Sequence, residues 1–482
     1  MSSPSMSSSR RTRRFSFGRC YKLWMSTALL AGSCAVAAQT TEPAATASDA
    51  DLLSISTEAL QLNAAYQSAV KAYEAAQELV PQARGRLLPQ LSASGAYDWQ
   101  RQHVEGTLFG FPGVDNTDTF GRYYYGAQLT QAVFKPQLFY GLSTAELKVK
   151  QAEYSLSAAQ DALLIEVAQT YFGVLGARDA LFVAKAKTVA VQEQLDHVKA
   201  RADAGLATLA DVKTAQASYE ITAADLADAS NTLRAAQMRL EAITGKSYAK
   251  LKVLPDEVRL TPPNPLNEQD WVTRAGTQNP SVLAQQAAME VAKVEARAAR
   301  GARYPQIDLV GAAYALNSDD SGSGIPGKRR EDDERIGLRM NVPLFSGGTV
   351  SATIRQADVL KEKAVSDVEA TRARVTRDTR IAYLIASTGL TRVQALKRAV
   401  EAAVDAEQSA RAGYESGTRN NTDVLDAVEK RYGAERDYAA ARYQFLINSL
   451  RLKQQAGNLL TADLAQINQL LQDSMLPLAQ VP

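Results

Sequence analysis

Residues 414–426 read Tyr-Glu-Ser-Gly-Thr-Arg-Asn-Asn-Thr-Asp-Val-Leu-Asp. This is the signature of a tight turn between two helices. Gly417 suits the left-handed position that ends the first helix. Asn420, Asn421 or Thr422 can cap the second. Asp423 and Asp426 stand three residues apart in its first turns and so share a face. An earlier stretch, Ala204-Gly205-Leu206-Ala207-Thr208-Leu209-Ala210-Asp211-Val212, has the same plan. A shift of 212 residues carries Gly205 onto Gly417, Asp211 onto Asp423 and Val212 onto Val424. The chain thus holds two helical hairpins, and the second bears an extra acid on its tip.

Around these turns the helical pattern is long. It runs without proline over 137–203 and returns over 208–244. It does so again over 349–414 and 421–456. The return helix 208–244 carries a heptad seam of Val212, Tyr219, Leu226, Leu233 and Leu240, with Ala215, Thr222, Ala229, Ala236 and Ile243 three residues later. Such a large-plus-small seam permits close helix packing. Each helical pair follows two segments that alternate apolar and polar residues, the mark of half-buried strands. These are expected at 88–101, 122–134, 304–316 and 334–345. In the sharpest, Ile336, Leu338, Met340, Val342 and Leu344 alternate with Gly337, Arg339, Asn341 and Pro343.

The series repeats: a shift of 216 residues maps Ala59, Asn63, Arg84, Gly85, Pro89, Gln90 and Gly95 onto Ala275, Asn279, Arg300, Gly301, Pro305, Gln306 and Gly311. Two structural repeats follow, 39–256 and 257–482. The reading further expects a loose segment at 39–57, a helix from Thr57 to about Arg86, and a linker at 246–266. It also expects a solvated loop containing Lys328 to Asp333.

Residues 1–38 have the form of a signal peptide. Arg10, Arg11, Arg13, Arg14, Arg19 and Lys22 precede an apolar run, and Ala35-Val36-Ala37 offers a cleavage site. Both cysteines, Cys20 and Cys34, lie in this segment, so the mature chain has no thiol chemistry. Removing six basic residues leaves 48 basic against 52 acidic, a net charge of −4. That balance excludes a strongly basic nucleic-acid binder. No apolar run beyond the signal is long enough for a membrane-spanning helix. Membrane-length strands remain, and four of them cannot close a barrel alone, because such barrels start at about eight strands. Two copies would supply eight strands and three copies twelve; spacing does not choose between them. His103 and His197 are isolated, and no phosphate-binding loop or Gly-x-Ser-x-Gly motif is present. Neither an enzyme nor a cofactor or metal site is expected. A periplasmic coiled-coil adaptor is the alternative; it would share the hairpins but not the duplicated strands.

The two-fold repeat, Leu88-Pro89-Gln90-Leu91, Val342-Pro343-Leu344-Phe345-Ser346-Gly347-Gly348 and the stretch 414–426 together resemble the TolC family of outer-membrane exit ducts. The resemblance implies an α+β membrane protein: a trimeric twelve-stranded β-barrel continuous with a long α-helical tunnel. It implies partnership with a periplasmic adaptor and an inner-membrane pump of ABC or RND type, serving efflux or type I secretion. By the same resemblance, Asp423 and Asp426 form carboxylate rings at the periplasmic constriction. Arg419 and Tyr414 tie the closed entrance to the first hairpin, with Asp211 the acid partner of the arginine. Here Ala210 stands where the family has a threonine, so the hydroxyl bond to Tyr414 cannot form. Asp203 is a substitute partner for that tyrosine. Ile336, Leu338, Met340, Val342 and Leu344 are the expected lipid-facing residues of the last strand.

Overall fold

The computed structural model describes residues 48–105, 115–255, 258–319 and 328–472. The signal segment 1–38 lies outside them. Strand β1 (Ser48–Ala50) is followed by helices α1 (Leu52–Leu62), α2 (Ala64–Gln77) and α3 (Leu79–Gly85). Strands β2 (Gln90–Glu105) and β3 (Asp115–Phe134) precede the long helices α4 (Pro136–Asp203) and α5 (Leu209–Thr244). After β4 (Tyr248–Leu251) the order recurs. Helices α6 (Glu268–Gln278) and α7 (Pro280–Gly301) lead to β5 (Gln306–Ser318) and β6 (Arg329–Asn341). The long helices α8 (Thr349–Glu415) and α9 (Asn421–Gln455) follow, then α10 (Thr461–Asn468).

The 68 residues of α4 give a rod of about 100 Å at about 1.5 Å per residue. No described helix is long and apolar enough to cross a membrane. The helices pack through four separate buried clusters among the described residues, two of them large. One joins Leu164, Tyr171 and Leu175 of α4 to Leu240 of α5 and to Tyr443, Leu446 and Leu450 of α9. The other lies near the hairpin ends, where Val191, Leu195 and Val198 of α4 meet Ala215, Ala410, Val424 and Val428. The α5 seam supplies both cores: Leu226 packs against the first, Val212 and Tyr219 against the second.

Strands β2, β3, β5 and β6 form one antiparallel sheet in that order. Its register gathers the alternating residues onto two opposed faces. One face holds Leu91, Tyr97 and Trp99 of β2 with Tyr123, Tyr125 and Leu129 of β3. It continues through Ile307, Leu309 and Ala313 of β5 to Ile336, Leu338 and Met340 of β6. The other face holds Ser92, Ser94, Gln128, Thr130, Asp308, Arg335 and Arg339. Among the described residues β2 and β6 have no outer neighbour, so both sheet edges are open there.

The structure departs from the sequence expectations at several points. The last strand stops at Asn341, so Val342 and Leu344 lie beyond it. Pro343 has no N–H for a ladder, and Gly347 and Gly348 turn the chain with φ of 59° and 85°. The same strand starts earlier than expected. Arg329 to Asp333, placed in a loop by their charge, pair with Ser318 to Tyr314 of β5. The helix expected from Thr57 is broken twice. At Asn63 an extended residue caps α2, its side chain accepting from the Tyr66 N–H. The loose segment and the linker each contribute a strand, β1 and β4, which pair in parallel. Their partners stand 200 residues apart in sequence, and local pattern cannot report such a pairing.

Candidate functional site

Both hairpin turns are built from the same two devices. In each, the first helix ends in a Schellman motif around a glycine with φ of 75°. The Thr418 N–H donates to the Gly413 carbonyl at 2.8 Å, and the Gly417 N–H to the Tyr414 carbonyl at 3.2 Å. In the first turn the Leu206 N–H donates to the Arg201 carbonyl at 2.8 Å, and the Gly205 N–H to that of Ala202 at 2.9 Å. Each second helix opens with a capping box. Thr208 and Asp211 form the first, Asn420 and Asp423 the second. Among the three candidate caps of the second turn, Asn420 takes the role.

The two tip acids therefore differ. The Asp423 Oδ2 accepts the Asn420 N–H at 3.1 Å, which orients it along the helix start. Asp426, one turn on, is exposed and makes no hydrogen bond or ion pair among the described residues. Asp211 is likewise committed locally. Its Oδ2 accepts from the Thr208 hydroxyl at 2.7 Å and from the Thr208 N–H at 3.0 Å. Those two bonds, the hydroxyl's first, hold its carboxyl below the usual range. No ion pair joins Asp211 to Arg419 within the chain. Arg419 is exposed, and its stem lies against Gly413, where a Cβ would come within 3.0 Å of the Arg419 Cγ and Cδ.

What ties the second hairpin to the first is a set of residues that sequence reading missed. Gln194 of α4 and Asn421 of α9 are both buried, and the Gln194 Nε2 donates to the Asn421 Oδ1 at 2.8 Å. The Asn421 Nδ2 donates to the Asp211 carbonyl at 3.5 Å. Tyr414, buried at 7% exposure, does not use Asp203. Its ring lies 4.9 Å from the Arg201 guanidinium carbon and 5.8 Å from the His197 ring, both on α4. Aromatic and cation–π contacts thus hold the Tyr414 ring against α4. Burial raises the Tyr414 phenol above its ordinary pKa, with the Arg201 charge opposing.

A charged network lies about two turns from the tip. The buried Glu407 of α8 accepts from Arg411 Nε at 2.7 Å and from Arg431 Nη1 at 2.9 Å. Arg431 Nε also donates to Glu435 at 3.0 Å. Burial, the largest single effect, would raise the Glu407 pKa. The hydrogen bonds and charges of Arg431 and Arg411 outweigh it and hold the carboxyl below the glutamate range. On the other side of α9, Lys187 of α4 pairs with Glu429 and with Asp225 of α5, the latter at 3.3 Å. The i,i+4 spacing of Glu407 and Arg411 is visible in sequence; the third partner, 24 residues away, is not.

Truncating Asn421 to alanine is expected to loosen the contact between the two hairpin ends and to speed hydrogen exchange of the helix-start amides near Asp211 and Asp423 about tenfold. The change strands the buried Gln194 amide, a loss of about 1–3 kcal/mol. Hydrogen-exchange mass spectrometry reads it; an unchanged rate would show that the amide pair does not hold the hairpins together.

The described residues combine a sheet with one apolar face and two long hairpins that present a bare carboxylate at their end. These are the parts of a membrane duct. The family described as outer membrane efflux protein matches residues 55–246 and 271–458. The outer membrane protein TolC of Vibrio cholerae is 31% identical over 396 residues, covering 82% of this chain and 88% of TolC. The alkaline protease secretion protein AprF of Pseudomonas aeruginosa is 27% identical, with 84% of each chain covered. Among solved structures, CusC superposes with a TM-score of 0.71 at 21% identity, covering 85% of this chain and 92% of CusC. The chain belongs to the outer membrane efflux protein family. It is a transport protein of the outer membrane, an exit duct for efflux or type I secretion.

Proposed function

We propose that three copies of this chain close a twelve-stranded barrel in the outer membrane and extend their hairpins as a tunnel into the periplasm. The carrying observation is the sheet. Its edges β2 and β6 are open, and its apolar face leaves Ile336, Leu338 and Met340 at 78%, 70% and 65% exposure. Open edges are not tolerated in lipid, so a barrel of several copies satisfies them. The exposed stripe Ile381, Leu384 and Ile385 on α8 supplies a matching apolar seam along the helices. A periplasmic adaptor and an inner-membrane pump of ABC or RND type complete the path; the pump sets whether small molecules or a protein leaves.

The tip acids Asp423 and Asp426 form the periplasmic constriction, six carboxylates in three copies. Arg419, with no ion pair among the described residues, is available to Asp211 of a neighbouring copy, while Tyr414 is held from within. Mass measurement in detergent tests the assembly. A trimer that dissociates on heating is expected, and a monomer that still conducts ions would overturn it.

Met340→Arg is expected to block insertion, because a charge on the lipid face costs about 2–4 kcal/mol at the midplane. Asn341→Arg, on the opposite face, should insert. Equal membrane yield of the two variants would place the apolar face away from lipid.

A further inference from the structure

The polar face of the sheet carries its own charge pattern. On β6, Arg335 and Arg339 flank Gly337, where nothing lies within 4 Å of a Cβ position. Strand alternation puts all three on the polar face. The Arg335 guanidinium sits 5.4 Å from the Tyr314 ring centroid, a cation–π distance. Tyr314 is itself fixed: its ring lies across Gly126, where any Cβ would collide with it, and its hydroxyl donates to Gln128 at 3.3 Å. Arg339 stands opposite Asp308, but that carboxylate is already paired with Lys135 at 2.8 Å. This half of the face therefore holds Lys135, Arg335 and Arg339 against the single acid Asp308. Toward the far end of β6 the balance changes, with Asp333 and Glu331 on the same face as Arg329.

We propose that Arg335, Gly337 and Arg339 form an anion-binding track that receives multivalent anionic solutes, with Tyr314 as its aromatic support. The proposal rests on the reading of this face as the lumen of the barrel. Charge complementarity selects the occupant. An open notch between two arginine forks matches carboxylate, sulfate or phosphate groups carried on one molecule. The duct would then present opposite signs at its two ends, acidic at the hairpin tips and basic on the lower sheet.

The test is block of single-channel current by a sulfated cyclodextrin added on the barrel side, with neutral cyclodextrin as control. Block by the sulfated form alone is expected. Arg335→Gln with Arg339→Gln should weaken it about tenfold at 0.01 M salt, where the Debye length of about 30 Å lets these charges act across the lumen. Arg335→Lys with Arg339→Lys should retain most of it, since the charge remains. Block by a trivalent cation from the hairpin side should be the same in all variants, which also shows that they fold and insert. Equal block of the wild type and the glutamine variant, or none in the wild type, would overturn the track while leaving the duct standing. A protein that conducts no ions would overturn the duct reading and the track with it.

Discussion

Replacing Asp423 and Asp426 together by asparagine is expected to abolish cation selectivity and to weaken trivalent-cation block at least about tenfold, or ~1.4 kcal/mol. Asparagine keeps the shape and removes the charge. The structure separates the two contributions. Asp423 already accepts the Asn420 N–H, whereas Asp426 is bare. Asp426→Asn alone should therefore produce most of the loss. The cost to the helix is small, because an acid in a first turn contributes only about 0.3–1 kcal/mol. If the double variant kept full selectivity, the acids would be helix-start residues and nothing more.

Arg431→Leu is expected to destabilise the second hairpin strongly. Removing one partner of a buried ion pair costs about 3–5 kcal/mol, an upper limit here because Arg411 still reaches Glu407. Replacing both residues, Glu407→Leu with Arg431→Leu, should restore most of the stability, because an apolar pair needs no compensation for buried charge. The heating temperature at which the detergent-solubilised protein loses its assembled form measures both. The pH dependence has a defined sign. The Glu407 pKa is depressed in the folded chain, so its contribution is fully present above the unfolded value of about 4.3 and is lost as pH falls through the folded value. The single variant should lose that acid-range slope. A double variant no more stable than the single one would mean that helix packing, and not the uncompensated carboxylate, sets the cost.

The parts of this protein that follow from local chemistry were legible in its sequence. Helix ends are written by glycine, caps and proline within a few residues, so the bounds of α4, α5, α8 and α9 fall within a residue of their expected positions. Strand alternation likewise separates the two faces of β6 from Ile336 to Met340 without knowledge of its neighbours. Charge misled at Arg329 to Asp333. Their polarity reads as loop, yet ladder bonds to β5 come from the backbone, and exposed side chains there do not oppose them.

The ties between hairpins belong to the tertiary structure alone. Gln194 and Asn421 stand 227 residues apart, and nothing near either residue shows that both will be buried. The same holds for Arg431 on Glu407 and for Arg201 beneath Tyr414. A polar side chain takes its role from whichever element removes it from water. For Asp423 and Asp426 the sequence placed both acids on the hairpin tip; only the folded turn made one the capping-box partner of Asn420 and left the other free of it, because the Asn420 N–H reaches a single carboxylate.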